Sequence, residues 1–201
     1  EGCGKSFQSL RLKKNLKKKG IESILTREPG GTKSAELIRT LILKDYFNKD
    51  KKEKFDKYTD TLLYLAARNE HIQNKIKPAL KNKKIVICDR FIDSTIAYQV
   101  YGKKINQSFV DQIHKYILHG IKPNITFVLK VSPKTSKIRL KKRKTKNRYD
   151  NFAQSFYSKA QKSFIKIAKN KKNYFILNSS KNDSGLEKII FDIVMKRLQI
   201  K

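Results

Sequence analysis

Gly2, Gly4, Lys5 and Ser6 fall within Glu1–Ser6, which reads EGCGKS and matches the second half of the pattern G-x-x-x-x-G-K-[ST]. These residue types suit one task, the holding of a phosphate chain. The glycines let the backbone, Cys3 included, curl until successive N–H groups face phosphate oxygens. A lysine then reaches the β and γ phosphates, and the serine hydroxyl reaches Mg²⁺. A glycine-rich turn that merely precedes Lys-Ser is the alternative. Arginine is the second informative type, since of 48 basic residues 39 are Lys and 9 are Arg. In a chain that uses lysine by default, an arginine marks a place where a planar, bidentate fork is wanted. Arg27, Arg39, Arg68, Arg90, Arg139, Arg143 and Arg148 are the candidates.

The net charge of +31 would ordinarily suggest a nucleic-acid surface. Here the lysines are spread over nearly every segment instead of gathering on one face, so no specific nucleic-acid partner is expected. Cys3 and Cys88 have no metal-ligand spacing, and His71, His114 and His119 are scattered, which argues against a structural zinc site. The longest apolar runs are a few residues, such as Ile85–Cys88. No membrane span and no leader pattern are expected, and the chain reads as a cytoplasmic protein. Its 201 residues suit one domain over 1–201 with a substantial core.

The elements that must position these residues alternate between two periodicities. Ser6–Lys19 reads as a helix with Leu10, Leu12 and Leu16 on its apolar side, closed by Gly20, so the phosphate loop opens a helix. A strand over Ile21–Thr26 delivers REPGGT, Arg27–Thr32, a loop bent by Pro29 and two glycines. Ser34 is expected to cap a helix striped with Leu37, Ile38, Leu41 and Ile42. A long helix is predicted from about Tyr58 to Leu80, burying Leu62, Leu65, Ala66, Ile72 and Ile76. Tyr64 and Arg68 share one of its faces, four residues apart. Ile85–Cys88 reads as a fully buried strand that delivers Asp89-Arg90 at its C-terminal end, where open α/β sheets bind ligands. Helices over Asp93–Tyr101 and Gln107–His119, a strand over Ile125–Val131 and a helix from Pro133 follow. The arginine-rich, apolar-poor stretch at about residues 139–151 reads as a lid. An amphipathic helix over Phe152–Ala168, a strand at Tyr174–Leu177 and a helix at Leu186–Leu198 complete the chain. Such alternation predicts an α/β fold, a parallel sheet flanked by helices.

REPGGT, LAARNEHI, CDRFIDSTIAYQ, GIKPNITFVLKV and RYDNFAQSF stand here in one order, and together they resemble the bacterial thymidylate kinases, a family of P-loop nucleoside monophosphate kinases. The resemblance covers essentially the whole chain. It implies transfer of the γ-phosphoryl group of MgATP to dTMP, giving dTDP and ADP for dTTP synthesis, usually by a cytoplasmic homodimer. It also implies a P-loop NTPase-type parallel sheet in the order 2-3-1-4-5, whose first strand would precede Glu1 and is therefore expected to be missing here.

The same resemblance distributes roles. Gly2, Cys3, Gly4, Lys5 and Ser6 would hold the ATP phosphates, with Arg139 also on the ATP side. Arg90 and Arg39 would clamp the dTMP phosphate, while Ser6 and Asp89 would serve Mg²⁺. Tyr64 would stack on thymine and Arg68 would read its O4. Ser94, Thr95 and Gln99 would make further base contacts, and Tyr98 would pack near the sugar. Glu1 would lie near the 3′-hydroxyl, with Glu28 in the same pocket wall. Lys5, Asp89, Arg90, Arg143 and Arg148 form the expected catalytic set, the last two acting from the lid. Gly2 stands where eukaryotic members carry a loop arginine, which places the transition-state charge on the lid. Bland alternatives remain for single residues: Tyr64 as core, Asp89-Arg90 as an ion pair, the lid arginines as solvated charge. Other P-loop phosphotransferases and a basic nucleic-acid binder are the competing readings.

Overall fold

The computed structural model describes residues 2–44, 54–142, 154–181 and 183–199. Helix α1, Lys5–Lys18, begins directly behind the phosphate loop, with Gly4 in the left-handed region as its N-cap. Strand β1, Ser23–Arg27, pairs in parallel with β2, Ile85–Asp89, and brings Arg27 level with Asp89. Between them lie α2, Lys33–Leu43, and α3, Lys57–His71. Thr32 caps α2 by accepting from the Ala35 N–H, so the cap falls two residues before the expected Ser34.

The expected long helix is interrupted. After α3 the chain makes a π-helical turn, Ile72–Ile76, and then α4, Lys77–Lys81. Pro78 has no N–H to give, and it is accommodated in the first turn of α4. The buried face of α3 is also rotated from the expected one. Thr61, Leu65, Ala67, Arg68 and His71 are inside, whereas Leu62 is 46% exposed and Ala66 faces outward. Polar residues hold the inner face because they have partners there, which an apolar-only reading of periodicity cannot anticipate.

Beyond β2 come α5, Ile92–Thr95, a second π-helical segment, Ile96–Gly102, and α6, Gln107–Ile117. Strand β3, Thr126–Lys130, precedes α7, Pro133–Lys141, and α8, Gln154–Ala168. It pairs in parallel with β4, Tyr174–Asn178, which leads into α9, Ser184–Leu198.

The sheet is thus two parallel ladders, β1-β2 and β3-β4. These correspond to the outer pairs of the expected order. No strand lies between β2 and β3 among the described residues. That position is a cavity of ≈1290 Å³ lined by Ile85–Asp89 and Thr126–Val131. Strand β2, expected to be fully buried, is half-buried where it borders this cavity, with Ile87 its one residue fully inside, and β3 is half-buried as well. The main core borders this cavity: Leu12 and Leu16 of α1 pack with Leu186, Ile190 and Val194 of α9, and Leu12, Ile190 and Val194 line it; Leu10, expected on the apolar side of α1, is exposed.

Candidate functional site

The C-terminal ends of β1 and β2 and the N-terminus of α1 meet at one pocket of ≈220 Å³. Parallel pairing is what makes this possible, because it sends the loops after both strands to the same edge. On one side stands the phosphate loop. Gly2 has φ +68, and a Cβ there would lie 2.8 Å from the Ser136 carbonyl oxygen, so the loop is seated directly on α7. Arg139 of α7 donates to the carbonyls of Gly2, Ser179 and Ser180, tying the loop to the turn after β4. Its guanidinium is therefore part of the seat. Lys5 Nζ lies 3.5 Å from Cys3 Sγ, and both Lys5 and Ser6 line the pocket. Ser6 Oγ donates to Asp89 Oδ2 at 2.5 Å. Asp89 Oδ1 is buried with no hydrogen-bond partner among the described residues. A buried carboxylate oxygen left bare beside a serine hydroxyl fits a divalent cation or its bound water, a hard centre that takes oxygen donors.

Opposite stands a cluster of guanidiniums. Arg90 adopts φ 74, turned away from ordinary strand geometry, and its guanidinium lies 5.2 Å over the Tyr98 ring. Arg39 donates to the Pro29 carbonyl at 2.6 Å. Arg27 bridges to Glu36 at 3.2 Å. Burial, then the charge of Arg27 and, more weakly, that of Arg90 loosen Arg39's hold on its proton, against the opposing pull of Glu36. The pocket wall thus carries more positive charge than it neutralises. Such a site awaits a multivalent anion.

Glu36 organises the loop between these arginines. It accepts from the Gly31 N–H at 2.9 Å as well as from Arg27, and it sits where a Cβ on Gly30 would strike it. Gly31 is as constrained: φ is +94, and a Cβ would come within 2.6 Å of Thr26 Oγ1 and 2.7 Å of the His71 ring. Gly31→Ala is therefore expected to cost about 1–3 kcal/mol of stability through backbone strain and overpacking. A urea-denaturation midpoint unchanged from wild type would contradict it.

The third wall is the face of α3 that carries Tyr64 and Arg68, with Ser94, Thr95, Tyr98 and Gln99 from α5 and the following π-helical segment. Arg68 is buried and paired with Glu28 at 2.8 Å. Glu28 also meets His71 Nδ1 at 3.1 Å, and His71 Nε2 meets Thr26 Oγ1 at 2.7 Å. Burial alone would raise the Glu28 carboxyl, but the Arg68 guanidinium and the His71 and Arg68 hydrogen bonds outweigh it and hold it below the usual range. Gln99 is 2% exposed, and its amide nitrogen has no partner among the described residues. An unpaired amide at the pocket edge points to a ligand that would satisfy it.

Glu28, Arg39, Tyr64, Arg68, Arg90, Ser94, Thr95, Tyr98 and Gln99, all anticipated as acceptor-side residues, line this pocket together with Lys5, Ser6 and Asp89. Glu1, Arg143 and Arg148 lie outside the described residues, as does the lid beyond Lys142. Sequence reasoning gave no task to Glu36, Phe91, His71 or His114, and marked Arg27 as a candidate fork without a particular partner. A signal existed for Glu36, a lone carboxylate one turn before Arg39 in a chain poor in acids. His71 and His114 sit on buried helical positions that periodicity assigns to plain core.

A Gly-Lys-Ser loop opening a helix, set against an Asp-Arg pair at the end of a neighbouring parallel strand, defines a P-loop phosphotransferase with an anion-binding pocket beside its phosphate loop. The family model described as "Thymidylate kinase" matches residues 1–190, and the chain belongs to the thymidylate kinase family. A thymidylate kinase of Aster yellows witches'-broom phytoplasma is 39% identical over 203 residues, spanning 99% of this chain and 93% of that protein. One from a Geobacillus species is 39% identical over 170 residues, spanning 84% and 79%. Among solved structures, the thymidylate kinase of Ehrlichia chaffeensis superposes with a TM-score of 0.73 at 31% identity, covering 96% of this chain and 94% of that one.

Proposed function

We propose that this chain transfers the γ-phosphoryl group of ATP to the 5′-phosphate of dTMP, forming dTDP and ADP. One observation carries the reading: a single pocket joins a phosphate-loop end, Lys5, Ser6 and Asp89, to an acceptor end with an arginine cluster and a buried polar wall. The acceptor phosphate is anionic near neutral pH, so no general base is needed. What the reaction needs is charge neutralisation and alignment. Arg90 and Arg39 grip the dTMP phosphate, with Arg27 adding to the field. Lys5 and the backbone N–H groups of Gly2, Cys3 and Gly4 hold the ATP phosphates, helped by the α1 N-terminus. Ser6 and Asp89 would hold Mg²⁺, which when bound offsets the negative charge between the β and γ phosphates. Arg143 and Arg148 are assigned to the transferring group, and Arg139 to the ATP side through the loop it seats.

Base choice falls to the polar wall. Tyr64 stacks on the pyrimidine, Arg68 donates to O4, and Gln99 and Ser94 complete the edge. Thymine offers an acceptor at that position and cytosine an amino donor. Because Glu28 needs a counter-charge, the informative change is Arg68→Lys, which keeps the cation and loses the fork. It is expected to narrow the dTMP/dCMP ratio of kcat/KM by roughly tenfold, in line with about 1–3 kcal/mol for a mismatched buried donor. Tyr64→Leu should weaken both substrates alike. An unchanged ratio in Arg68→Lys, with a changed one in Tyr64→Leu, would sink these assignments.

The proposal includes one domain over the chain, a cytoplasmic setting and a homodimer. No helix among the described residues is long and apolar enough to cross a membrane. The apolar stripe expected on α2 is turned outward at Leu37, 73% exposed, and Leu41, and Leu62 of α3 is exposed as well. That outward face supports the dimer.

A further inference from the structure

Arg68 is held by a group to which the sequence assigns nothing. Its five N–H donors and lack of any acceptor make its bonding countable. Nε and Nη2 each lie 2.8 Å from Glu28 Oε2. Nη1 lies 2.9 Å from Thr95 Oγ1 and 2.8 Å from His114 Nε2. The guanidinium carbon sits 5.3 Å over the Phe91 ring. Because arginine only donates, His114 Nε2 must be the bare ring nitrogen, so the imidazole is neutral with its proton on Nδ1. Burial and then the Arg68 charge, opposed by Glu28, lower His114 to about 4, which agrees with that state. With these contacts made, one Nη2 N–H is left without an acceptor among the described residues.

We propose that His114 is a specificity-positioning residue: by accepting from Nη1 it fixes the rotation of the Arg68 fork, so that the remaining Nη2 N–H is the donor offered to the pyrimidine base. This rests on the base-reading role given to Arg68 above. Glu28 alone cannot set the rotation, since both of its contacts use one oxygen on one edge of the guanidinium. Thr95 accepts through a hydroxyl oxygen whose lone pairs turn with its C–O bond, so it takes the N–H from a range of directions. The imidazole has one accepting nitrogen and is buried on the inner face of α6 beside Val110, so its direction is fixed by the helix. A histidine that only filled space would be replaceable by any apolar ring, whereas here such a ring leaves an Nη1 N–H unpaired in a buried site.

The test compares wild type, Arg68→Lys, His114→Phe and His114→Gln in a coupled ADP-release assay with dTMP and dCMP. In His114→Phe the KM for dTMP is expected to rise about tenfold with kcat within about twofold, and the dTMP/dCMP ratio of kcat/KM to narrow about tenfold toward that of Arg68→Lys. His114→Gln, whose amide oxygen reaches the place of Nε2, restores both. If His114→Phe does not fold, His114→Leu carries the same expectation. A ratio unchanged in the apolar variant while Arg68→Lys narrows it overturns the proposal, as does a fall in kcat alone or a failure of His114→Gln to rescue. If Arg68→Lys itself leaves the ratio at the wild-type value, the base-reading role fails and the proposal falls with it.

Discussion

Lys5→Ala removes phosphoryl transfer and leaves the fold in place: kcat is expected to fall by about 10²–10³-fold or more, the scale on which a single preorganised group facing developing charge acts. Lys5 opens α1 and lines the pocket, but it belongs to none of the apolar clusters that hold α1 against α9. Alanine is the best helix former, so the first turn survives the change. What is lost is a compact positive charge beside Cys3 at the helix N-terminus, where the proposed function puts the β and γ phosphates. Arginine is a poor substitute, because a flat fork cannot take the place of a point charge within a tight loop. Coupled ADP release together with a denaturation midpoint separates the two effects. Near-wild-type turnover, or loss of folding in step with loss of activity, would count against the assignment.

Arg90→Met is expected to lower kcat/KM for dTMP by about 10²–10³-fold, the loss of two charge-assisted hydrogen bonds at about 1.5–2 kcal/mol each. The side chain is presented by an unusual backbone, φ 74 directly after the last residue of β2, and is steadied by the Tyr98 ring and by Ser94 Oγ at 3.5 Å. Arg90 and Arg27 both bear on Arg39 at the pocket they line, a gathering of like charge that is costly unless an anion arrives to share it. Methionine keeps the stem and removes the charge, so ATP binding at the phosphate loop should change little. Arg90→Lys should recover only part of the loss, since a bidentate grip on a phosphate needs the fork. Initial-rate kinetics with dTMP varied at saturating ATP decide the matter. A variant that loses affinity for ATP and keeps it for dTMP would contradict the placement.

Much of this site was legible because its residues are punctuated along the sequence by rare types: glycine, proline and arginine in a lysine-rich chain. Tyr64 and Arg68 were readable as one face from their spacing, and both reach the pocket. Asp89 and Arg90 were readable as the end of a strand, and that is where they stand. The parallel pairing followed from alternation and resemblance, and β1-β2 and β3-β4 are its two ladders among the described residues.

The misreadings have a common cause. On α3 the inner face was assigned to Leu62 and Ala66, yet Thr61, Arg68 and His71 are inside because Lys57, Glu28 and Thr26 satisfy them. Burial there is decided by hydrogen-bond partners, for Thr61 the Lys57 carbonyl one turn back and for Arg68 and His71 groups on distant segments, and a hydrophobic period carries no information about those. The same holds for His114, whose partner lies 46 residues away, and for Glu36, whose role depends on how Gly30 and Gly31 fold back over it. On α2 the apolar stripe was read as one set, yet the helix buries Ile42 and turns Leu37 and Leu41 outward.

The central claim is that one pocket joins a phosphate donor to a pyrimidine monophosphate. Its most direct test is ADP release by the purified protein with Mg²⁺ and ATP, measured in parallel with dTMP, dUMP, dCMP, AMP and GMP as acceptors. The account predicts the highest kcat/KM with dTMP, lower by roughly tenfold or more with dCMP, where the base presents an amino donor to Arg68, and no comparable turnover with AMP or GMP. Purine monophosphates used as well as dTMP, or phosphoryl transfer to none of the five, would contradict it.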